Sequence, residues 1–346
     1  MKKLLSILLL GAAAAAVPAA AQTSTKLSAT KASEYGLIYT LPLTAFEVTV
    51  AVEKTVSTPG EFYQYARRYL NATPILKPST SWRITEAVVN PIAIADEKER
   101  YLATFKGGAG TYMTVSDLNF PLSVNDESYE ATVSLSPLPQ PVEAEPTILQ
   151  LPVAQQAITP EMIQSKSLAK RAQLAADKIY EFRNNRNEII SGQADAMPSD
   201  GAAMKLALDQ LASQEEALTA MFLGTVQKSV EVRTYTVYLP DDGAVSRKVV
   251  ARLSALDGLV DANDLSGAPI YISITPQTRG ELPVNEKGIT KTFPKGGVAY
   301  RIPGTARVTL SYDDETLAED TFDVAQYGVV FGLDPSLFTN KKSPSY

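Results

Sequence analysis

Residues 36–56 have the sequence GLIYTLPLTAFEVTVAVEKTV, and this stretch decides the fold class. Apolar side chains alternate with other residues, first from Leu37 through Tyr39 and then again from Phe46 onwards. A period of two places alternate side chains on one face, so the pattern predicts a half-buried β-strand. Several shorter stretches with the same character follow. Together they predict an N-terminal β-rich region over residues 22–135.

A proline-rich stretch ends this region. Residues 136–152 contain five prolines. Proline lacks a backbone N–H and fixes φ, so this density disfavours both sheet and helix and favours an extended, stiff chain. The sequence therefore predicts a linker over residues 136–158.

The periodicity then changes to that of helices. In residues 168–189 and 204–222, apolar side chains recur at steps of three and four, which is typical of amphipathic helices. Gly192 and Gly224 follow them, as expected at helix ends. Because the connection is short, we expect an antiparallel helical hairpin over residues 159–224.

Strand patterns return in residues 225–346, which predict a C-terminal β-rich region. Residues 36–45 and 297–306 share Gly, Tyr, Pro, Thr and Ala at the same spacing. One hypothesis is that the two β-rich regions are diverged copies, and the alternative is a coincidence of common strand residues. The predicted fold class is α+β, with two β-rich, sandwich-like regions separated by a long antiparallel helical hairpin.

The first 21 residues are typical of an export signal. Two lysines precede an apolar run over residues 4–17, and three alanines then precede Gln22. This order predicts a signal peptide over residues 1–21, cleaved before Gln22. The run is too short for a comfortable membrane span. We therefore expect an exported protein, periplasmic or associated with the outer membrane, and soluble after cleavage.

Composition narrows the possible chemistry. The chain has no His and no Cys, so Ser-His-Asp and Cys-His catalysis and the usual zinc ligand sets are excluded. We expect no lipid anchor at the cleavage site, because that route requires a cysteine. The net charge is −6 without a basic tract, which argues against nucleic-acid partners. No later segment predicts a transmembrane span, and no cofactor or metal site is expected.

The chain resembles a family of exported proteins from Bacteroidota, catalogued as domain of unknown function 4831. The motifs that carry the resemblance lie along most of the chain, and their order is more specific than any one of them. They are Thr58-Pro59-Gly60, Tyr65-Ala66, Tyr69-Leu70, Arg186 to Gly192, Pro198 to Gly201, Glu215 to Gly224, Ala299 to Pro303 and Ala325 to Gly328. The resemblance implies an envelope protein and no particular activity, so it assigns no functional residue.

Arg186 and Glu215 interrupt the apolar faces of the two helices. They could form a polar site between the helices, or an ion pair that serves only to satisfy buried charge, with each other or with neighbours such as Asp177 or Asp209. The second interpretation is the more common one for charges on apolar faces.

Two further groups of side chains are candidates for binding. Tyr63 is predicted to point outward from a short helix whose other aromatic residues form a core face, so it could stack on a sugar or peptide. The acids between Asp257 and Asp264 could hold calcium, but their spacing lacks that of an EF-hand and turn chemistry explains them equally well.

These observations favour a non-catalytic protein that binds or scaffolds another envelope component, with a protein of the envelope as its partner. A carbohydrate- or peptide-binding module is the alternative. A carboxylate-dependent hydrolase is the second alternative, although no pair of acids is singled out and no catalytic residue can be named.

Overall fold

The computed structural model describes residues 22–26, 37–105, 113–124, 135–195, 198, 201–240, 243–295 and 297–333. Within them the strands, in chain order, are β1 Gln22–Lys26, β2 Leu37–Thr58, β3 Ser79–Phe105, β4 Met113–Val115, β5 Pro121–Val124, β6 Thr225–Tyr238, β7 Val245–Ser254, β8 Gly258–Asp261, β9 Gly267–Pro276, β10 Val298–Tyr312 and β11 Glu315–Leu333. The α-helices are α1 Ala66–Leu70, α2 Pro152–Ala157, α3 Pro160–Gln164, α4 Leu168–Ser191 and α5 Ala202–Leu223.

The strands form antiparallel sheets. A four-stranded sheet has the order β1-β3-β2-β6, and a five-stranded sheet has the order β11-β10-β9-β7-β8. A separate pair joins β4 to β5. The alternation of residues 36–56 predicted a strand, and β2 confirms it. Its core-facing side chains at Phe46, Val48 and Val50 are fully buried. The opposite edge of β6 is bonded to the proline-rich segment, where Val142 and Val230 exchange two backbone hydrogen bonds.

Both sheets bury their apolar faces in one core. Phe46 and Val50 from the first sheet pack in the same cluster as Ile272, Val308 and Tyr327 from the second. Because strand β6, which follows the helices in sequence, pairs directly with β2, the two β-rich regions of the chain are interleaved.

The predicted fold class is therefore wrong. Of the residues that the structure describes, 47% are in strands and 25% in helices, and within them no long helical hairpin separates two β regions. Helices α4 and α5 share one apolar cluster with Phe62 and Ala66 from the first region, Ala157 from the linker segment and Met162 from α3. The helical periodicity identified a buried face correctly, but periodicity contains no information about which segments cover that face.

Two hairpins in different sheets have the same pairing pattern. In the β2–β3 hairpin, Thr40 pairs with Arg100 but Pro42 pairs with Ala95, so residues 96–99 bulge from β3. In the β10–β11 hairpin the register shifts by the same amount between Ile302 and Gly304, and residues 325–328 bulge from β11. A second, smaller shift follows in each hairpin. The bulges lie at the prolines of the two similar sequences, and a common origin of the two regions stays a prediction.

Candidate functional site

Each bulge lies beside strand residues of the other sheet, and we call this region the bulge junction (residues 96–99 and 325–328 with their neighbours). Arg301 Nη2 lies 2.7 Å from Asp96 Oδ2, and Arg301 Nη1 donates to the Pro42 carbonyl at 3.0 Å. Only 10% of the Arg301 side chain and 9% of the Asp96 side chain are exposed. A buried pair of this geometry joins strand β10 to strand β3.

A second set of hydrogen bonds ties β2 to β11 in the bulge junction. The Thr44 N–H donates to Gln326 Oε1 at 3.0 Å, and Gln326 Nε2 donates back to the Thr44 carbonyl at 2.7 Å. The Ala325 N–H donates to Thr44 Oγ1 at 3.0 Å. β-Bulges leave backbone groups unpaired, and here the Thr44 hydroxyl of the opposite sheet satisfies the Ala325 N–H.

A tyrosine pair lies beside the Asp96–Arg301 pair. The rings of Tyr39 and Tyr101 stack with centroids 5.6 Å apart, and the Tyr101 hydroxyl donates to Glu99 Oε2 at 2.5 Å. Burial raises the pKa of the Tyr101 hydroxyl above its ordinary value, and the hydrogen bond to Glu99 adds to the rise. Tyr101 is therefore a protonated hydrogen-bond donor at neutral pH.

A β-arm extends from the bulge junction between β9 and β10, and we define the arm as residues 281–293. At its start the Gly280 N–H donates to the Tyr327 carbonyl at 2.9 Å. A side chain at position 280 would place its Cβ 2.3 Å from the Ile302 carbonyl oxygen, so only glycine fits there. At its end the ring of Phe293 packs on Phe331, with centroids 6.1 Å apart.

The tip of the arm is a tight turn held by the side chain and the backbone of Asn285. Asn285 Oδ1 accepts from the backbone N–H groups of Lys287 and Ile289, both at 2.9 Å. Beyond this turn, Val284 and Thr290 form an antiparallel bridge. Asn side chains commonly fix turns in this way. The arm is therefore ordered by its own hydrogen bonds although most of its residues are exposed.

Four apolar side chains of the arm face solvent. The exposed fractions are 40% for Leu282, 57% for Val284, 61% for Ile289 and 46% for Phe293. Single exposed apolar residues are normal on protein surfaces, but several on one short ordered segment are suited to association, and we call these four side chains the apolar patch of the arm. The sequence interpretation missed this arm. Its signal was a turn sequence, Val284 to Ile289, in which Asn and Gly lie between two β-branched residues.

The structure brings Arg186 and Glu215 together. Arg183 Nε donates to Glu215 Oε1 at 2.6 Å, and Arg186 Nη1 lies 2.8 Å from Glu215 Oε2, close enough for an ionic contact although its angle does not meet hydrogen-bond geometry. Glu215 is 12% exposed and both arginines are about one-third exposed. Glu215 compensates one of the two arginine charges within the helical cluster, and solvent screens the partly exposed remainder, which fits a stabilising role. Arg183, one turn before Arg186, was missed from the sequence.

Tyr63 stays a predicted stacking residue. It is half-buried at the start of a short 3₁₀ turn, and its hydroxyl accepts from Gln64 Nε2 at 3.2 Å. The aromatic residues beside it behave as expected, since the Phe62 ring contacts the Phe222 ring at 5.3 Å.

Asp257 and Asp264 accept hydrogen bonds within the turns in which they lie. Ser254 Oγ donates to Asp257 Oδ2 at 3.4 Å, and the Ser266 N–H donates to Asp264 Oδ1 at 2.9 Å. The hydrogen bonds from Ser266 lower the pKa of the Asp264 carboxyl. Within the described ranges, no three His, Cys, Asp or Glu side chains come together in a way that could hold a metal ion. Among the helices of those ranges, none combines the length and apolarity needed to cross a membrane.

The family model described as Domain of unknown function (DUF4831) matches residues 35–346. The match confirms the resemblance inferred from the sequence motifs. Neither a curated protein nor a solved structure matches the chain.

Proposed function

Because the chain belongs to the family described as Domain of unknown function (DUF4831), whose description assigns no activity, we propose its function from its own surface. We propose a non-catalytic, exported envelope protein that binds another envelope protein through the arm, residues 281–293. The observation that carries this proposal is the exposed apolar patch on an ordered arm. The export signal predicted over residues 1–21 supports the proposed location.

The apolar side chains of the arm can supply the affinity. Full burial of one Val, Leu, Ile or Phe side chain contributes about 1.5–3 kcal/mol, and these four are roughly half exposed before binding. Burying the rest of the four side chains would contribute about 4 kcal/mol, before the costs of association are subtracted. This amount is a substantial part of the binding free energy of a micromolar complex.

The order of the arm lowers the cost of binding. Hydrogen bonds at Gly280 and Asn285 and the packing of Phe293 fix the arm before any partner arrives. A preorganised segment loses less conformational entropy on association than a flexible loop does. The arm is therefore better suited to specific binding than an irregular loop of the same composition.

The test is crosslinking and pull-down from the native envelope with a paired set of variants. Val284→Asp/Ile289→Asp places two charges in the patch, and we expect recovery of the partner to fall at least about tenfold, which corresponds to about 1.4 kcal/mol. Leu256→Asp/Leu265→Asp is the matched control, because those leucines are 82% and 81% exposed in turns outside the arm. The control should retain the partner. Equal recovery with both variants, or a wild-type protein that always emerges alone, would contradict the proposal.

A further inference from the structure

Hydrogen bonds fix the register of the arm near its tip. The Lys291 N–H donates to the Pro283 carbonyl at 2.8 Å. One position closer to the tip, Val284 lies opposite Thr290 in an antiparallel bridge. Gly288 has φ +73°, the left-handed conformation that commonly ends a three-residue hairpin loop. The arm is therefore a short antiparallel hairpin in which the pairing of residues is defined.

The exposed apolar side chains of the arm lie on both faces of this hairpin. Directly opposed residues of an antiparallel pair share a face, and successive residues along a strand alternate between faces. Val284 and Thr290 therefore share one face, and the alternation adds Leu282 to it. Ile289 and Lys291 are the neighbours of Thr290 in the chain, so they lie on the opposite face. We call these surfaces the Val284 face (residues 282, 284 and 290) and the Ile289 face (residues 289 and 291).

Both faces are open to solvent. Val284 is 57% exposed and Ile289 is 61% exposed, so neither face is covered by the other residues that the structure describes. A hairpin that lay flat on the body of the protein would bury one face and expose the other. Because the exposure is nearly equal, a flat partner surface can cover only half of the apolar area that the arm offers.

The two faces differ in charge. The Val284 face carries no charged residue, whereas the Ile289 face carries Lys291, whose side chain is exposed. Within the described part of the chain, Lys291 forms no ion pair, and the two acids of the arm, Glu281 and Glu286, do not pair with it. An ammonium enclosed beside an apolar side chain costs free energy unless an opposite charge accompanies it. A partner that covers the Ile289 face therefore needs a carboxylate at this position.

We propose that the partner protein holds the arm in a cleft with two apolar sides. One side contacts the Val284 face, and the other side contacts the Ile289 face and supplies a carboxylate to Lys291. Grooves that receive alternate side chains of an extended segment are a recurring mode of recognition. This inference rests on the proposed function, because it describes the partner's site for the same arm.

The test is site-specific photo-crosslinking in the native envelope, followed by mass spectrometry of the crosslinked peptides. A photoreactive phenylalanine analogue replaces Val284, Thr290 or Ile289, one at a time. Positions 284 and 290 lie on opposite strands of the hairpin but on the same face, so we expect both to link to one segment of the partner. Position 289 is adjacent to 290 but faces the other way, so we expect a different segment of the same protein. One segment from all three positions would overturn the inference.

Single charge substitutions give an independent test. Val284→Asp and Ile289→Asp should each lower recovery of the partner at least about fivefold, because a cleft contacts both faces. Lys291→Glu should lower it by a similar factor, since two carboxylates would then repel each other. Lys77→Glu is the matched control, because it makes the same change at an exposed lysine outside the arm and should retain the partner. Full recovery with any one of the three arm variants would overturn the inference.

The outcomes distinguish this inference from the proposed function. Full recovery with one of the single variants, together with loss of the partner in Val284→Asp/Ile289→Asp, leaves the arm as the binding segment and overturns only the cleft. A crosslinked product made of two copies of this chain, an adduct with lipid, or no product from any arm position overturns both.

Discussion

Arg301 and Asp96 are 205 residues apart in the chain, and their side chains form a buried ion pair 2.7 Å long that joins the two sheets. Removing one partner of a buried pair leaves an uncompensated charge in the interior. We therefore expect Arg301→Met to lower the free energy of unfolding by about 3 kcal/mol, measured by urea denaturation. Glu97→Gln is the control, because the Glu97 side chain is 79% exposed. This variant should change the free energy of unfolding by less than about 0.5 kcal/mol. A loss equal to that of the control would show that the pair does not hold the sheets together.

Glu215 lies between Arg183 and Arg186 in the helical cluster. Glu215→Ala leaves two arginines without their partner, and both are partly exposed, so solvent screens some of the cost. We expect the free energy of unfolding to fall by about 1–2 kcal/mol. Glu181→Gln, which breaks the more exposed pair with Lys178, should have an effect below about 0.5 kcal/mol. If the two variants unfold alike in urea, the three-residue cluster does not stabilise the helices.

The base of the arm requires a glycine. Gly280→Ala would force a Cβ to within 2.3 Å of the Ile302 carbonyl oxygen, so the arm or strand β10 must shift. We expect a loss of about 1–3 kcal/mol in thermal or chemical unfolding, the range for an overpacked site. At Gly243 the corresponding Cβ meets its nearest atom at 3.4 Å, so Gly243→Ala should change stability by less than about 0.5 kcal/mol. A neutral Gly280→Ala variant would mean that the close contact at the base is not needed.

The turn at the tip of the arm depends on Asn285. Asn285→Ala removes the acceptor for the N–H groups of Lys287 and Ile289, two exposed residues. We expect faster amide hydrogen exchange at Lys287 and Ile289, with global stability reduced by less than about 1 kcal/mol. If the arm is the binding segment, partner recovery should fall as the arm loosens. Unchanged exchange at both amides would contradict the role assigned to Asn285.

Burial and Glu99 raise the pKa of Tyr101, which makes stability depend on alkaline pH. The folded chain holds the Tyr101 proton more tightly than the unfolded chain, whose tyrosines titrate near pH 10. The contribution of Tyr101 to the free energy of unfolding is therefore fully present below about pH 10. As the pH rises above this value, the contribution falls by up to about 1.4 kcal/mol per pH unit. Tyr101→Phe should unfold with a weaker dependence on pH between about 10 and 11. An unchanged alkaline slope would exclude this coupling.

The local elements of this fold were predictable from the sequence. The helical stepping that ends at Gly192 corresponds to α4, Leu168–Ser191, and the alternation after Leu37 corresponds to β2. Strand and helix periods are properties of short windows, so no distant information is needed to find them. The same is true of the Asn285 turn, which carries a recognisable signal although it was overlooked.

The assembly of those elements was not predictable in the same way. The whole length of strand β6 pairs with β2, although the helices lie between the two strands in sequence. No local sequence pattern encodes that pairing. The bulge junction depends on such long-range contacts, as Thr44 meets Gln326 across 282 residues. The arm is a candidate site because its apolar residues are exposed. Exposure depends on the finished packing, which the sequence pattern does not specify.

Site-specific photo-crosslinking tests the central proposal most directly. A photoreactive phenylalanine analogue replaces Val284 or Ile289 in the arm, or Leu265 as an equally exposed site elsewhere, and the native envelope is irradiated. Binding through the arm predicts one discrete crosslinked protein from positions 284 and 289 and none from position 265. The absence of that product at both arm positions, or the same product from position 265, would contradict it.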